Sequence, residues 1–391
     1  MNMNYGCASL GLIVLSLCIP VPAFALTDED FQDAASGIFD PVMQEHDIPG
    51  LAIGVTMGGK HYVHVSGMAD QEAGRPVDQD TVFELGSISK LFNVTLAALA
   101  DQRGVLSLAD PVSDHSPALQ GTAFGRLSLM DLATHQSGGM PLQVPDEISD
   151  NAGLIDWLAE WRPEAGAGHD RSYSNISIGV LGRLVAMAFG QDFPTALQEN
   201  VLAPLGLEAT YIVVPQEAQG DYAFGYSKDT NMPIRVNPGM LDAEAYGVKS
   251  SVTDMLTYLD AQLGQGQVPQ DLAQAIQATQ AGQTQTAHFQ QAMIWERYGW
   301  PADLNRLLAG NDSSMALESQ PADRLDSPDT KSDGVLLSKT GSTSGFGGYV
   351  ALIPEEDFGI VILANRNYPN QVRVEAGIAL AQRLIEGATA Q

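Results

Sequence analysis

The chain has 391 residues, 45% hydrophobic and 17% charged, a globular composition long enough for one large domain or two modest ones sharing an interface. Its 47 acidic residues outnumber 19 basic ones, giving a formal net charge of −28, so a phosphate backbone would be repelled and nucleic-acid binding is excluded. Such an acid excess reads either as an ordinary solvated surface or as adaptation to salt, where mobile ions screen the self-repulsion.

Residues 1–25 carry no charged side chain and run through "LGLIVLSLCIP" into "VPAFA", where Ala23-Phe24-Ala25 fits the small-x-small rule for cleavage. A signal peptide cut after Ala25 is expected, with export to the periplasm and a mature chain of 391 − 25 = 366 residues. Both cysteines, Cys7 and Cys18, fall inside that segment, so the mature protein needs no disulfide. No later stretch is apolar enough for a membrane helix, and no membrane association is expected after cleavage.

From Leu51 the pattern is a strand, a Gly58-Gly59 turn and alternation from Tyr62 to Val65, hence a hairpin. The middle of the chain is helix-rich. Ser128, three residues before Asp131, caps a helix expected to end at Gly138-Gly139. Further helices are expected from Ile176 ("SIGVLGRLVAMAFG") and in "SVTDMLTYLDAQLG". The polar stretch from Gly310 to Gly334 reads as a surface excursion beside a cleft. A second hairpin in "GGYVALIPEEDFGIVILANR" turns at Pro354-Glu355-Glu356-Asp357, and helical periodicity then runs to Gly387. The expected fold class is α/β (α+β). An antiparallel sheet built from both chain ends (26–85 and 236–391) is flanked by helices, a mostly helical lobe (86–235) lies beside it, and the site sits where the lobes meet.

Three stretches carry chemistry. In "FELGSISKLF", Ser87 and Lys90 are three apart at a helix start, which puts them on one face about 5–6 Å apart at Cβ. A desolvated lysine can take a serine's proton, and the helix N-terminus favours developing negative charge. Alone, the pair reads equally well as an N-cap serine and a solvated lysine. In "RSYSNISIG", Tyr173 and Asn175 flank Ser174 just before a helix, and a phenol held between two lysines can ionise below its usual pKa of about 10. That signal is weak, since "YPN" at Tyr368 to Asn370 fits the same spacing. In "LLSKTGSTSGFGGYV", Lys339-Thr340-Gly341 reads as part of an edge strand whose small neighbours let a flat substrate lie against the backbone. There the Ser342 N–H would join that of Ser87 as an oxyanion hole. Other chemistries lose. A phosphate loop and a G-x-S-x-G elbow do not occur, and His61 and His64 fall on opposite faces of a strand.

Together, in that order, S-x-x-K, Y-x-N and K-T-G resemble the serine penicillin-recognising enzymes. The stretches "FELGSISK", "GGMPLQVPDE", "YSNISIGVLG", "LDAEAYGVKSS", "KTGSTSGFGGYV" and "LANRNYPNQVRVEA" look like class C (AmpC-type) β-lactamases, over nearly the whole mature chain. The resemblance implies a β-lactamase/transpeptidase-like fold and a monomer without metal or cofactor. It implies hydrolysis of cephalosporins and penicillins through a serine acyl-enzyme, which confers antibiotic resistance. Ser87 would be the nucleophile, Lys90 its partner, and Tyr173 the proton shuttle. Lys339 and Thr340, with Gly341 and Ser342 on the same strand, would bind the substrate carboxylate and carbonyl. Gln143 and Asn175 would hold the side-chain amide, Tyr246 would line the side-chain pocket, and Asn367 and Asn370 would lie near the carboxylate. A D-alanyl-D-alanine carboxypeptidase or esterase of the same fold, or a penicillin sensor that stays acylated, would share the site. The departures, Gln136-Ser137 before Gly138-Gly139 and Asn367 after Arg366, bear on specificity rather than chemistry.

Overall fold

The computed structural model describes residues 26–164 and 170–389, with Met1. The expected signal segment, with Cys7, Cys18 and the cut after Ala25, lies outside the described residues. Among the described residues, no single helix is long and apolar enough to cross a membrane.

Helix α1 (Asp28–Glu45) starts where the Thr27 side chain accepts from the Asp30 N–H, and it buries Phe31, Ala34, Ala35 and Phe39, one face at helical spacing. Strands β1 (Gly50–Met57) and β2 (Lys60–Asp70) form the expected hairpin, and β3 (Arg75–Pro76) follows on its far edge. In β1, Leu51, Ile53 and Val55 pack on the side of α1, whereas Ala52 joins the opposite core. A strand covered on both faces reads as a continuous apolar run, which is why β1 alternates so little. A 3₁₀ turn (Gly86–Ile88) leads into α2 (Ser89–Gln102). Helix α3 (Leu129–Ala133) opens with the Ser128–Asp131 capping box but lasts only five residues. The expected run to Gly139 is cut short because His135 adopts φ +59°, a left-handed conformation that no helix continues.

Helices α4 (Asn175–Ala188), α5 (Val252–Gln262) and α6 (Gln270–Thr279) follow. The remaining strands of the main sheet are β4 (Gly282–Gln285), β5 (Gln290–Gln291), β6 (Glu296–Gly299), β7 (Asp323–Asp329), β8 (Val335–Ser342), β9 (Gly347–Ile353) and β10 (Phe358–Ala364), and helix α7 (Asn370–Thr389) ends the described chain. These ten strands make one sheet in the order β7-β4-β5-β6-β8-β9-β10-β1-β2-β3, beside three small two-stranded pairings. The turn between β9 and β10 sits at Pro354–Glu356, with Asp357 left-handed at φ +46°. Helices α1 and α7 cover one face, and α5 lies on the other against β1 and β10. Helix α2, buried from Ser89 to Ala100, packs on α4 and α6.

Two expectations need correcting. The stretch 310–334 is more than an excursion, because it contributes β7, the sheet's outer strand beside β4. Strand β8 is interior, not an edge: β6 pairs with it through Glu296↔Ser338, and β9 pairs with its other side. Strand β6 stops there, so Lys339 to Ser342 have a ladder partner on one side only. The other side is free to meet a ligand, and the free edge is local.

Candidate active site

Phe83, Leu85, Leu91 and Phe92 are all fully buried around the 3₁₀ turn, and they seat Ser87 at the mouth of α2. The three-residue spacing brings Lys90 Nζ to 3.0 Å from Ser87 Oγ, to which it donates; a second donation reaches the Ala245 carbonyl at 2.9 Å. Lys90 is 0% exposed, so the solvated reading of that lysine is gone. Burial pushes its pKa below the ordinary 10.5, with the Tyr173 phenol opposing and the Lys339 charge reinforcing.

Tyr173 precedes Ser174, whose hydroxyl caps α4 by accepting from the Ile176 and Ser177 N–H groups. Its ring has three cationic neighbours: Lys90 Nζ at 5.2 Å, Lys339 Nζ at 5.3 Å and the Arg171 guanidinium at 5.3 Å from its centroid. Burial alone would raise the phenol's pKa. The charges of Lys339 and Lys90, with polar contact to Ser87 and Lys90, outweigh it and bring the pKa from 10.0 to about 8. The Tyr173 hydroxyl is itself buried and has no hydrogen-bond partner of ordinary geometry among the described residues, in a residue that lines the cleft. One Glu296 carboxylate oxygen sits 3.5 Å from both Lys339 Nζ and the Arg171 guanidinium, bridging the two cations beside Tyr173.

The approach of β8 to the nucleophile depends on two glycines. A Cβ on Gly341 would run into the Leu85 carbonyl, and one on Gly86 would lie 2.5 Å from the Ser342 nitrogen. Gly86 also has φ +53°, which a side chain disfavours. Gly86→Ala is therefore expected to push Ser342 away from Ser87 and to cost about 100-fold in kcat, the scale of a lost oxyanion donor. Steady-state kinetics beside a melting curve check this; wild-type kcat would refute it. Behind the strand, buried Arg373 donates to the Gly341 carbonyl at 2.7 Å, Ser342 Oγ at 2.9 Å and Asn367 Oδ1 at 2.7 Å, and also to the Tyr368 carbonyl.

Ser87, Gln143, Tyr173, Asn175, Lys339, Thr340, Gly341, Ser342 and Asn370 line one cleft of about 230 Å³. A second of about 640 Å³ opens from it, sharing Ser87, Gln143, Asn175 and Ser342 and adding Tyr246 and Asn367. Every site residue expected from the sequence thus lines one of the two, except Lys90, which lies beneath Ser87. Sequence reasoning missed Arg171, Glu296, His135 and Arg373. Arg171 stands two residues before Tyr173 in the quoted motif, but the other three carry no local mark. His61 binds Asp260 on α5 at 2.7 Å and His64 binds Gln32 on α1 at 2.7 Å, on opposite faces as the strand period requires. No cluster of three His, Cys, Asp or Glu suited to a metal occurs among the described residues.

The Beta-lactamase family model matches residues 35–385. A beta-lactamase of Pseudomonas fluorescens is 42% identical over 352 residues, covering 90% of this chain and 98% of its own. The solved beta-lactamase of Sulfitobacter sp. EE-36 is 49% identical with a TM-score of 0.91, covering 93% of this chain and 100% of that one. The class C beta lactamase of Rhodobacter sphaeroides is 53% identical with a TM-score of 0.87, covering 90% and 99%. With the serine–lysine pair, the phenol and the K-T-G strand gathered at one cleft, the chain belongs to the beta-lactamase family, as a class C enzyme.

Proposed function

We propose that Ser87 opens the amide of cephalosporins and penicillins by the following course. Tyr173, its phenolate favoured by the Lys90 and Lys339 ammoniums, takes the Oγ proton as Oγ bonds to the ring carbonyl carbon, and the N–H groups of Ser87 and Ser342 hold the oxyanion. The C–N bond then breaks, the ring nitrogen receives the proton through Tyr173, and the acyl group stays on Oγ. A water attacks the ester, giving one proton back through Tyr173 to Ser87 and releasing the ring-opened acid. Lys339 and Thr340, with Asn367 and Asn370 nearby, bind the substrate carboxylate. Gln143 and Asn175 hold the side-chain amide, and Tyr246 lines its pocket.

The observation that carries this reading is the 3.0 Å contact from fully buried Lys90 to a serine at the mouth of a cleft walled by Lys339. A phenol titrating at about 8 supports the shuttle, since efficiency is greatest when the pKa lies near the working pH. Its phenolate fraction grows as pH rises through that value, so kcat/KM is expected to climb toward pH of about 8 and then level. Progress curves on purified protein with a cephalosporin, a penicillin and an acyl-D-alanyl-D-alanine peptide provide the test. Sustained β-lactam turnover is the expected result. A single stoichiometric burst, or release of D-alanine with little β-lactam hydrolysis, would overturn it.

A further inference from the structure

Tyr173 is held from behind by a side chain that the course above does not use. His135 is fully buried, and its ring packs on that of Tyr173 with centroids 4.4 Å apart. Its main chain and ring also grip both neighbours of that tyrosine. The His135 carbonyl accepts from the Ser172 N–H at 2.8 Å, and its Nδ1 accepts from the Ser174 N–H at 3.2 Å. One residue thus fixes the backbone before Tyr173, the backbone after it, and the face of its ring.

The left-handed backbone at His135, φ +59°, is uncommon for a residue with a side chain, and it directs the imidazole back across 172–174. An Nδ1 that accepts an N–H leaves the proton on Nε2, so the ring is neutral. That Nε2 is buried with no hydrogen-bond partner among the described residues. An unsatisfied buried N–H calls for an explanation, and its own hydrogen bonding supplies none. The charges facing the imidazole are Arg171, Lys90 and Lys339, from three separate elements, with Glu296 paired to the first and last. Desolvation and those three cations hold the imidazole pKa well below the usual 6.5, so no fourth positive charge joins the cluster at working pH.

We infer that His135 is a positioning residue, a neutral clamp whose ring and Nδ1 hold Tyr173 between the Lys90 and Lys339 ammoniums. This rests on Tyr173 as the proton-transfer group, and it adds the residue that keeps the phenol in register. Two substitutions suit the left-handed backbone: His135→Gly, which removes both ring and acceptor, and His135→Asn, which offers an amide oxygen near the Nδ1 position. His135→Gly is expected to lower kcat/KM for a cephalosporin by about 10- to 100-fold, the scale of a sub-ångström misplacement of a reacting group. Its Tyr173 titration, followed as tyrosinate absorbance and identified by its absence in Tyr173→Phe, is expected to move above about 8, because the phenol drifts from its cations. His135→Asn is expected to recover most of both losses. Wild-type kcat/KM and titration midpoint in folded His135→Gly would overturn the clamp. So would His135→Asn no better than His135→Gly, or lower melting temperatures with midpoint and kcat/KM unmoved. The midpoint is read without substrate and tests the clamp by itself. Full activity in Tyr173→Phe would instead sink the proton-transfer role of Tyr173.

Discussion

Ser87→Ala is expected to lower kcat for a chromogenic cephalosporin by on the order of 10⁴-fold or more, since removing a covalent nucleophile leaves only the binding and oxyanion contributions. The protein should nevertheless fold as before. The Ser87 hydroxyl accepts one bond, from Lys90, and Lys90 keeps its donation to the Ala245 carbonyl at 2.9 Å. Lys339, Thr340, Gln143 and Asn175 remain in place, so the variant should still bind intact substrate without forming an ester. Mass spectrometry separates the outcomes. The wild type passes through a substrate-sized adduct, whereas an adduct or brisk turnover in Ser87→Ala would end the proposal that this hydroxyl is the nucleophile.

Lys90 gives the second large effect, with an unusual companion. Lys90→Met is expected to reduce kcat by about 10²- to 10⁴-fold, the range for disabling general-base catalysis, because the ammonium that activates Tyr173 and holds Ser87 Oγ is gone. It also removes one of the two ammoniums that hold Tyr173 at about 8, so the Tyr173 titration should move up and its phenolate fraction at neutral pH should fall. Stability should not follow activity down. The Lys90 pKa is lowered on folding, chiefly by desolvation, so folding favours the neutral amine. That contribution is full above the unfolded value near 10.5 and is lost as pH falls through the folded value, leaving a buried charge as a net cost at neutral pH. A methionine of similar length removes that cost, and the melting temperature at neutral pH is expected to hold or rise. Retained kcat would refute the role of Lys90, and a melting temperature lowered by several degrees would refute the energetic account.

Much of this site is written locally. Ser87 and Lys90 lie on one helix turn, so their spacing sets their contact whatever the rest of the chain does. The hairpins at 50–70 and 347–364 and the caps at Ser128, Ser174 and Ser251 are likewise short-range physics, and the structure carries each of them. The length of α3 was legible only in part. Its cap is a sequence feature, but its early end comes from His135 turning left-handed to meet 172–174, a contact with residues some forty positions away.

What the sequence determines by itself is therefore the set of reacting groups and the turns and helix starts that present them. The tertiary structure decides the sheet order, and with it that β8 is an interior strand whose free edge begins only after Ser338. It also decides which distant charges surround the phenol. Glu296 reaches Lys339 and Arg171 because β6 pairs with β8, and Arg373 braces Gly341 because α7 packs on β9, the strand next to β8, and on β10 beyond it. Period-2 and period-3.6 patterns tell which face of an element is buried, but not which element will cover it. Partners far apart in sequence are chosen by the packing of the whole core, where burial and a lowered dielectric turn a lysine on a helix and an ordinary tyrosine into a coupled acid and base.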